Sequence, residues 1–448
     1  MPCRKKWLTL LGTERGTPGL ERSIYRRVED KAPESWEVLT RIKHKEDEQR
    51  DVRTTIDRDL QAFIAQQLKD KKGAIVVLNP QTGDLLAMYS NPSFNLSEAQ
   101  SLDDWLKLEG DKRNKPLLNR ATREFYTPGS TFKTFTMISA FRAGKQNSLF
   151  TSSPGGFVPY RNSRSITDAN GGCEPPFGCG TLNIMQSFEA SSNQYFAQMA
   201  VDLGRERIRE TAGSLGILAV ETPEDAVQSN FFPGIWNASN SQISSALAPQ
   251  QSTIVTGKNI SAYDIALEGM GQGYAGQMTP FQMALIASAP ANMEGKLMKT
   301  KVEADLQPQM FAQVLTPQQA AQVREIMAQV TEGSGGTGRR VFANVLAAGI
   351  RTGGKTGTAE KQAPLYDERT GKLKTVKKKR KDENGKLVEY DAAVLYDRTD
   401  SWYISIAPLE QPQLAIAVVV EGGGYGAAVS APIAANITHE SARTRSFG

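Results

Sequence analysis

The sequence predicts an α/β fold in which both ends of the chain meet in one sheet around a helical body. Three observations carry this. Two strand-like runs lie early, Gly73–Asn79 and Asp84–Tyr89. A long middle follows with helical spacing. Three strand-like runs then return in the last third, Thr356–Lys361, Ser401–Ala407 and Gln413–Glu421. Strands that open and close a chain around helices suit a single sheet with helical cover.

In chain order, residues 1–50 are polar and charged, with one helical possibility near Gly19–Val28 and a charge run at His44–Arg50 that reads as linker. Asp57 is a candidate N-cap for a helix in which Leu60, Phe63, Ile64 and Leu68 recur at helical spacing. Gly73–Asn79 is apolar throughout, as a strand covered on both faces should be, and Pro80-Gln81-Thr82-Gly83 is a turn. Ser97–Leu108 reads as a short helix. Thr127-Pro128-Gly129-Ser130 then opens an apolar helical run that ends at Gly144, so Ser130 is expected at a helix N-terminus. Loop composition follows to Gly180. Helices are expected at Thr181–Phe188, at Gln194–Leu203, from Pro280 with Thr279 as cap, at Gln318–Val330 and at Ser430–Ser441. Residues 362–399 form a basic insertion. Lys372–Lys381 is its charge run, and Asp382–Lys386 could turn a hairpin. It is either solvated or a basic arm for an anionic partner.

With 448 residues, two or three domains fit, or one large domain with an appendage. A net charge of +5 does not argue for nucleic acid. Only two histidines occur, His44 and His439, far from every other motif. A Ser-His-Asp triad and a histidine-rich metal site are thereby disfavoured. Of three cysteines, Cys173 and Cys179 flank a loop-like stretch; they could form a small disulfide outside the cytoplasm or remain free thiols. The apolar run Trp7–Gly12 is too short for a membrane span.

Three short motifs carry chemistry. In Ser130-x-x-Lys133 a hydroxyl and an amine share one helix face, a nucleophile with a base beside it. The bare pattern is weak, since a capping serine with a solvated lysine gives the same letters. Ser191-x-Asn193 supplies a second hydroxyl and an amide, suited to passing a proton and holding a carbonyl. Lys355-Thr356-Gly357-Thr358 reads as an edge strand whose cation and hydroxyls can hold a carboxylate. The same region also satisfies the phosphate-loop pattern from Gly349 to Thr356. That reading needs a helix directly after the lysine, and Gly357–Pro364 has no helical period.

The order Ser-x-x-Lys, Ser-x-Asn, Lys-Thr-Gly resembles the penicillin-binding proteins and serine β-lactamases. Further segments are similar to the transpeptidase domain of class B (monofunctional) penicillin-binding proteins over roughly residues 50–440. They are Thr54–Gln61, Asn91–Phe94, Asn119-Arg120-Ala121, Gly271-Gln272-Gly273, Thr279-Pro280 and Glu332-Gly333. Thr17–Glu21 resembles the close of that family's pedestal, so residues 1–50 are expected to be a pedestal or linker remnant and 51–442 the transpeptidase domain.

The resemblance implies an antiparallel five-stranded sheet flanked by helices, with an all-helical subdomain. It implies that Ser130 attacks a D-Ala-D-Ala stem peptide and that Lys133, once neutral, takes the proton. Burial and the cation of Lys355 both favour that neutral form. It assigns Ser191 as proton relay, Asn193 as orienting group, the backbone N–H groups of Ser130 and Thr358 as oxyanion hole, and Lys355, Thr356, Gly357 and Thr358 as the substrate-binding strand. No metal or organic cofactor is called for. Expected partners are peptidoglycan stem peptides, β-lactams and a polytopic glycan polymerase, at the extracytoplasmic face of the membrane. A D,D-carboxypeptidase, a β-lactamase-like hydrolase and a non-catalytic β-lactam sensor or wall scaffold share the fold and remain alternatives.

Overall fold

In the computed structural model the described residues are 52–94, 101–169, 172–173, 175–229, 247–273, 277–367, 370–381 and 387–445. The expected helix near Gly19–Val28, and the rest of the pedestal or linker remnant, lie outside them. Helix α1 spans Arg58–Gln67, and the Asp57 carboxylate accepts the N–H groups of Asp59 and Leu60, as expected of a cap. Strands β1 (Gly73–Leu78) and β2 (Leu85–Asn91) form the first hairpin.

At the motif serine the structure differs from expectation. Gly129–Phe132 is a 3-10 turn, and helix α2 begins only at Lys133 and runs to Arg142. The reason is Gly129, whose φ of +55° interrupts the entry that Pro128 starts. Residues i and i+3 eclipse in such a turn, so Ser130 and Lys133 still share a side. Gly144, at φ +69°, ends the run.

The middle is helical. The expected helix at Thr181–Phe188 begins later: residues 180–182 pair as a short strand with Phe150–Ser152. Asn183, through a capping box with Gln186, starts α3 at Ile184–Glu189. Helix α4 runs Asn193–Ser214, past the expected end at Leu203, and kinks at Gly204; Ile208 and Ala212 carry its buried face onward. Helix α5 (Ala262–Gly269) had no expectation in sequence. Helix α6 (Pro280–Ala291) has its Thr279 cap and is buried on every side. Helix α7 spans Pro317–Glu332, and α8 (Arg339–Ala347), also unanticipated, follows.

The late strands are longer than their apolar runs. They are β3 (Gly353–Pro364), the ribbon pair β4 (Thr375–Lys381) and β5 (Leu387–Ala393), β6 (Leu395–Ala407) and β7 (Leu414–Val420). Helix α9 (Ser430–Arg445) closes the described chain. The main sheet has five strands in the order β2-β1-β7-β6-β3, every pairing antiparallel. Strands from the two chain ends are therefore neighbours, β1 beside β7. In the insertion β4 pairs antiparallel with β5, with Lys377 facing Asp391, and the turn expected at Asp382–Lys386 lies outside the described residues.

Alternation along β1 explains its continuous apolar run. Ala74, Val76 and Leu78 enter a core with α2, α4, α6 and α7, while Ile75 and Val77 enter a second core with α1, α8 and α9. Strand β7 divides in the same way, Ala415, Ala417 and Val419 to one side and Ile416 and Val418 to the other. Each Val, Leu or Ile side chain removed from water in this way contributes about 1.5–3 kcal/mol, and the alanines less. Two packed faces fix the register, because a one-residue slip would exchange the two core sets.

Candidate active site

Three elements meet at the end of the sheet where β3 is the edge strand: the Gly129–Phe132 turn, the α3–α4 junction and β3 itself. The turn is pressed onto the strand. A Cβ at Gly129 would lie 2.6 Å from the Thr358 carbonyl oxygen, and one at Gly357 would lie 3.0 Å from the Pro128 carbonyl oxygen. Only glycine allows this approach. Gly129 also donates its N–H to the Gly271 carbonyl (3.0 Å), and the Gln272 amide donates to the Thr358 carbonyl (3.3 Å). Trp402 on β6 donates its indole N–H to the Thr127 carbonyl (3.1 Å). The strand and the Gly271-Gln272 segment thus hold the turn from two sides. Ser130 is half-buried within it.

Both lysines of the motifs are fully buried. Lys133 Nζ donates to the Asn193 Oδ1 (2.7 Å), to the Ser191 carbonyl (2.5 Å) and, at 3.3 Å, to the Ser191 Oγ. Lys355 Nζ reaches the same hydroxyl at 2.8 Å. Ser191 therefore bridges two amines from elements more than 200 residues apart in sequence. It does so from the left-handed region, at φ +62°, a conformation that a serine holds only when its surroundings impose it. The ring of Phe196 lies 5.9 Å from Lys133 Nζ, and that of Phe188 lies 5.6 Å from Lys355 Nζ. These π faces offset part of the cost of taking each cation out of water. Thr356 shares a 2.7 Å hydrogen bond with Thr337. Thr358 is half-buried and its hydroxyl accepts the Gly426 N–H at 3.4 Å.

Ser130, Ser191, Asn193 and Lys355–Thr358 lie on these meeting elements, and Lys133 opens α2 directly after the turn. Gly353 and Gly354 are already in the sheet and the strand continues past Lys355, so the segment has no helix on which to seat a phosphate. Sequence reasoning missed Thr337, which the Gly-Ser-Gly-Gly-Thr-Gly run at 333–338 could have flagged. It also missed Asp168, for which no local signal exists. Among the described residues no group of three or more His, Cys, Asp or Glu side chains is gathered to hold a metal.

Cys173 and Cys179 are bonded to each other. Their loop packs beside the site: a Cβ at Gly335 would collide with Pro176, and Gly335 donates to Glu189 Oε1 (2.7 Å). Behind the Gly271-Gln272 segment, burial pushes the Glu268 carboxyl up to about 8, with the nearby charge of Asp264 acting in the same direction. A Cβ at Gly273 would lie against its Oε2.

Residues 73–439 match the penicillin-binding protein transpeptidase domain model. The chain belongs to that family. Among its relatives, the peptidoglycan D,D-transpeptidase PbpA of Mycolicibacterium smegmatis is 30% identical over 388 residues, covering 81% of this chain and 65% of the relative. The peptidoglycan D,D-transpeptidase MrdA of Haemophilus influenzae is 28% identical over 406 residues, 86% of this chain and 55% of that one. The chain thus spans about half to two thirds of the length of these relatives. Among solved structures, penicillin-binding protein A of M. tuberculosis, as its ceftriaxone acyl-enzyme, superposes with a TM-score of 0.72 at 24% identity. That match covers 98% of this chain and 91% of the other. The likeness bears out the penicillin-binding protein transpeptidase fold expected from the motifs.

Proposed function

We propose that this penicillin-binding protein domain is the catalytic unit of a peptidoglycan D,D-transpeptidase. In this reading it cross-links stem peptides through a Ser130 acyl-enzyme and accepts β-lactams at the same oxygen. The observation that supports it most is the meeting of Lys133 and Lys355 on the Ser191 hydroxyl, next to the turn that carries Ser130. The names of the PbpA and MrdA relatives point the same way. Residues 51–442 act as one unit, and the insertion at 362–399 takes in the end of β3, the β4–β5 ribbon and the start of β6.

The reaction begins with the terminal D-Ala carboxylate held by Lys355, Thr356 and Thr358 on the edge strand, where Gly357 lets the peptide lie close. Ser130 Oγ attacks the penultimate D-Ala carbonyl while Lys133 takes its proton. Two ammonium groups on one hydroxyl repel, which favours the neutral form of one of them. The carbonyl oxygen, now negative, accepts from the N–H groups of Ser130 and Thr358; one such donor is typically worth about 3 kcal/mol. The C–N bond then breaks, the proton passes through Ser191 to the leaving amine, and free D-Ala departs. An amine of a second stem peptide attacks the ester carbonyl, loses its proton along the same relay and restores the Ser130 hydroxyl. Work at the extracytoplasmic face beside a glycan polymerase belongs to this reading; among the described residues no helix is long and apolar enough to cross a membrane.

Labelling with a fluorescent penicillin, followed by peptide mapping, is the test. The label is expected on the Ser130 peptide and lost in Ser130→Ala. A label that persists in the variant, or never attaches to the wild type, overturns the assignment. Fast release of hydrolysed penicillin would make the protein a β-lactamase. Stem-peptide monomers as the only product would make it a carboxypeptidase. Restoration of cell shape by Ser130→Ala would make it a scaffold.

A further inference from the structure

The relay works only if Asn193 presents its amide oxygen, and not its nitrogen, to Lys133 Nζ. Nothing within Asn193 selects that orientation, since the two ends of an amide are nearly the same shape. The surroundings select it from a loop some 25 residues earlier in the chain. The Thr167 carbonyl accepts the Asn193 Nδ2 at 3.2 Å, which leaves Oδ1 for the 2.7 Å bond with Lys133.

Its neighbour Asp168 clamps the same residue by the backbone. Asp168 is 3% exposed. Its Oδ1 accepts the N–H of Asn193 (2.5 Å) and of Gln194 (3.0 Å), and the Ser192 hydroxyl (3.1 Å). Its Oδ2 faces the same hydroxyl (3.3 Å) and the Gln194 amide (3.5 Å). Asp168 in turn donates its own N–H to the Gly172 carbonyl (3.2 Å), and Gln194 Nε2 also donates to that carbonyl (3.3 Å). A buried carboxylate on the unsatisfied N–H groups that open α4 makes strong, charge-assisted bonds. These bonds fall on the Ser192 hydroxyl and the Asn193 N–H inside the motif and on Gln194 directly after it.

We propose that Asp168 is a positioning residue for acyl transfer, acting through Asn193 on Lys133. It fixes the first turn of α4 so that the Asn193 oxygen reaches the lysine. A shift of about 1 Å in such a group is enough to cost about a hundredfold in rate. The inference rests on the Ser130 acylation proposed above.

The measurement is the acylation rate by fluorescent penicillin, resolved into binding and chemical step, for wild type, Asp168→Asn, Asn193→Ala and the double variant. Asp168→Asn is expected to slow the chemical step about tenfold or more and to change penicillin binding less than about twofold. In the double variant the rate is expected to equal that of Asn193→Ala within about twofold, because a residue acting through another adds nothing once that other is gone. Ser192→Ala, which removes one partner of the carboxylate without a change of charge and also the cap on the Tyr195 N–H, is expected to slow acylation about threefold and likewise to add nothing to Asn193→Ala. This second series decides the matter if Asp168→Asn does not fold. Acylation of either single variant at the wild-type rate, or losses that multiply in the doubles, would overturn the proposal. No acylation of the wild type would instead remove the reading of Ser130 itself.

Discussion

At the scale of single residues, the site depends on where a side chain is missing as much as on those present. Gly129 sits at φ +55° with its α-carbon against the Thr358 carbonyl. Gly271 sits at φ +84°, and a Cβ there would lie 1.9 Å from the Gly129 carbonyl oxygen. The turn that carries Ser130 is thus stacked between two backbones with no room for a methyl group. Gly129→Ala is expected to cost about 1–3 kcal/mol in stability, from the backbone conformation alone. It should also slow acylation far more than a destabilised but correctly shaped site would. Melting temperature and acylation rate measured on the same sample check this; an unchanged rate in a destabilised variant would show that the turn tolerates displacement.

At the scale of elements, α5 and the segment after it form the back wall of the turn. Glu268, near the end of α5, is 5% exposed and its carboxyl is pushed up to about 8, chiefly by burial. Because the folded value lies above the ordinary one of 4.5, the folded state binds a proton that the unfolded state releases between these two values. Stability is therefore greatest below the lower value and falls as pH rises towards about 8. Glu268→Gln removes the titration. The variant is expected to be the more stable protein at alkaline pH, by roughly 3–5 kcal/mol at most, and the difference should shrink on acidification. Urea unfolding at a series of pH values reads it directly, and parallel curves for the two proteins would contradict the burial argument. The ribbon of β4 and β5 is a different kind of element. Its ion pairs, Lys377–Asp391 at 2.9 Å and Lys379–Glu389 at 3.7 Å, are exposed, and such pairs contribute about 0–1 kcal/mol each. Strand pairing, not charge, holds it together.

Across the whole molecule, the segment that leads to Ser130 is tied to strands β6 and β7 by a buried charge cluster. Glu421, just after β7, receives Arg120 (2.9 Å), the Tyr126 hydroxyl (3.0 Å) and Arg398 (2.9 Å). Burial alone would push its carboxyl up, yet Arg120 and Arg398 hold it below the usual range. Arg398 also pairs with Asp400 (2.8 Å). Tyr126 packs edge-on against Trp402, which holds Thr127, so the cluster supports the approach to Ser130. Glu421→Gln leaves two arginines without their shared counter-charge, Arg120 being fully buried. Removing one partner of a buried pair typically costs about 3–5 kcal/mol. Denaturant unfolding measures that loss; one below about 1 kcal/mol would mean that water or Asp400 takes over the pairing.

Local chemistry was legible before any coordinates: the Asp57, Thr279 and Gly144 signals act within one turn of where they stand, and an apolar strand reports its own burial. The three motifs were legible for the same reason, each being a short run with a fixed spacing. Only the tertiary structure decided that Ser130 lies in a 3-10 turn and not at an α-helix start, because that follows from Gly271 and Thr358 pressing on Gly129. It also decided that one hydroxyl, Ser191, takes both lysines, and that Asp168 and Glu421 matter at all. Lone acidic residues carry no pattern in a sequence. Their weight comes from burial and from partners that only folding brings within 3 Å or so.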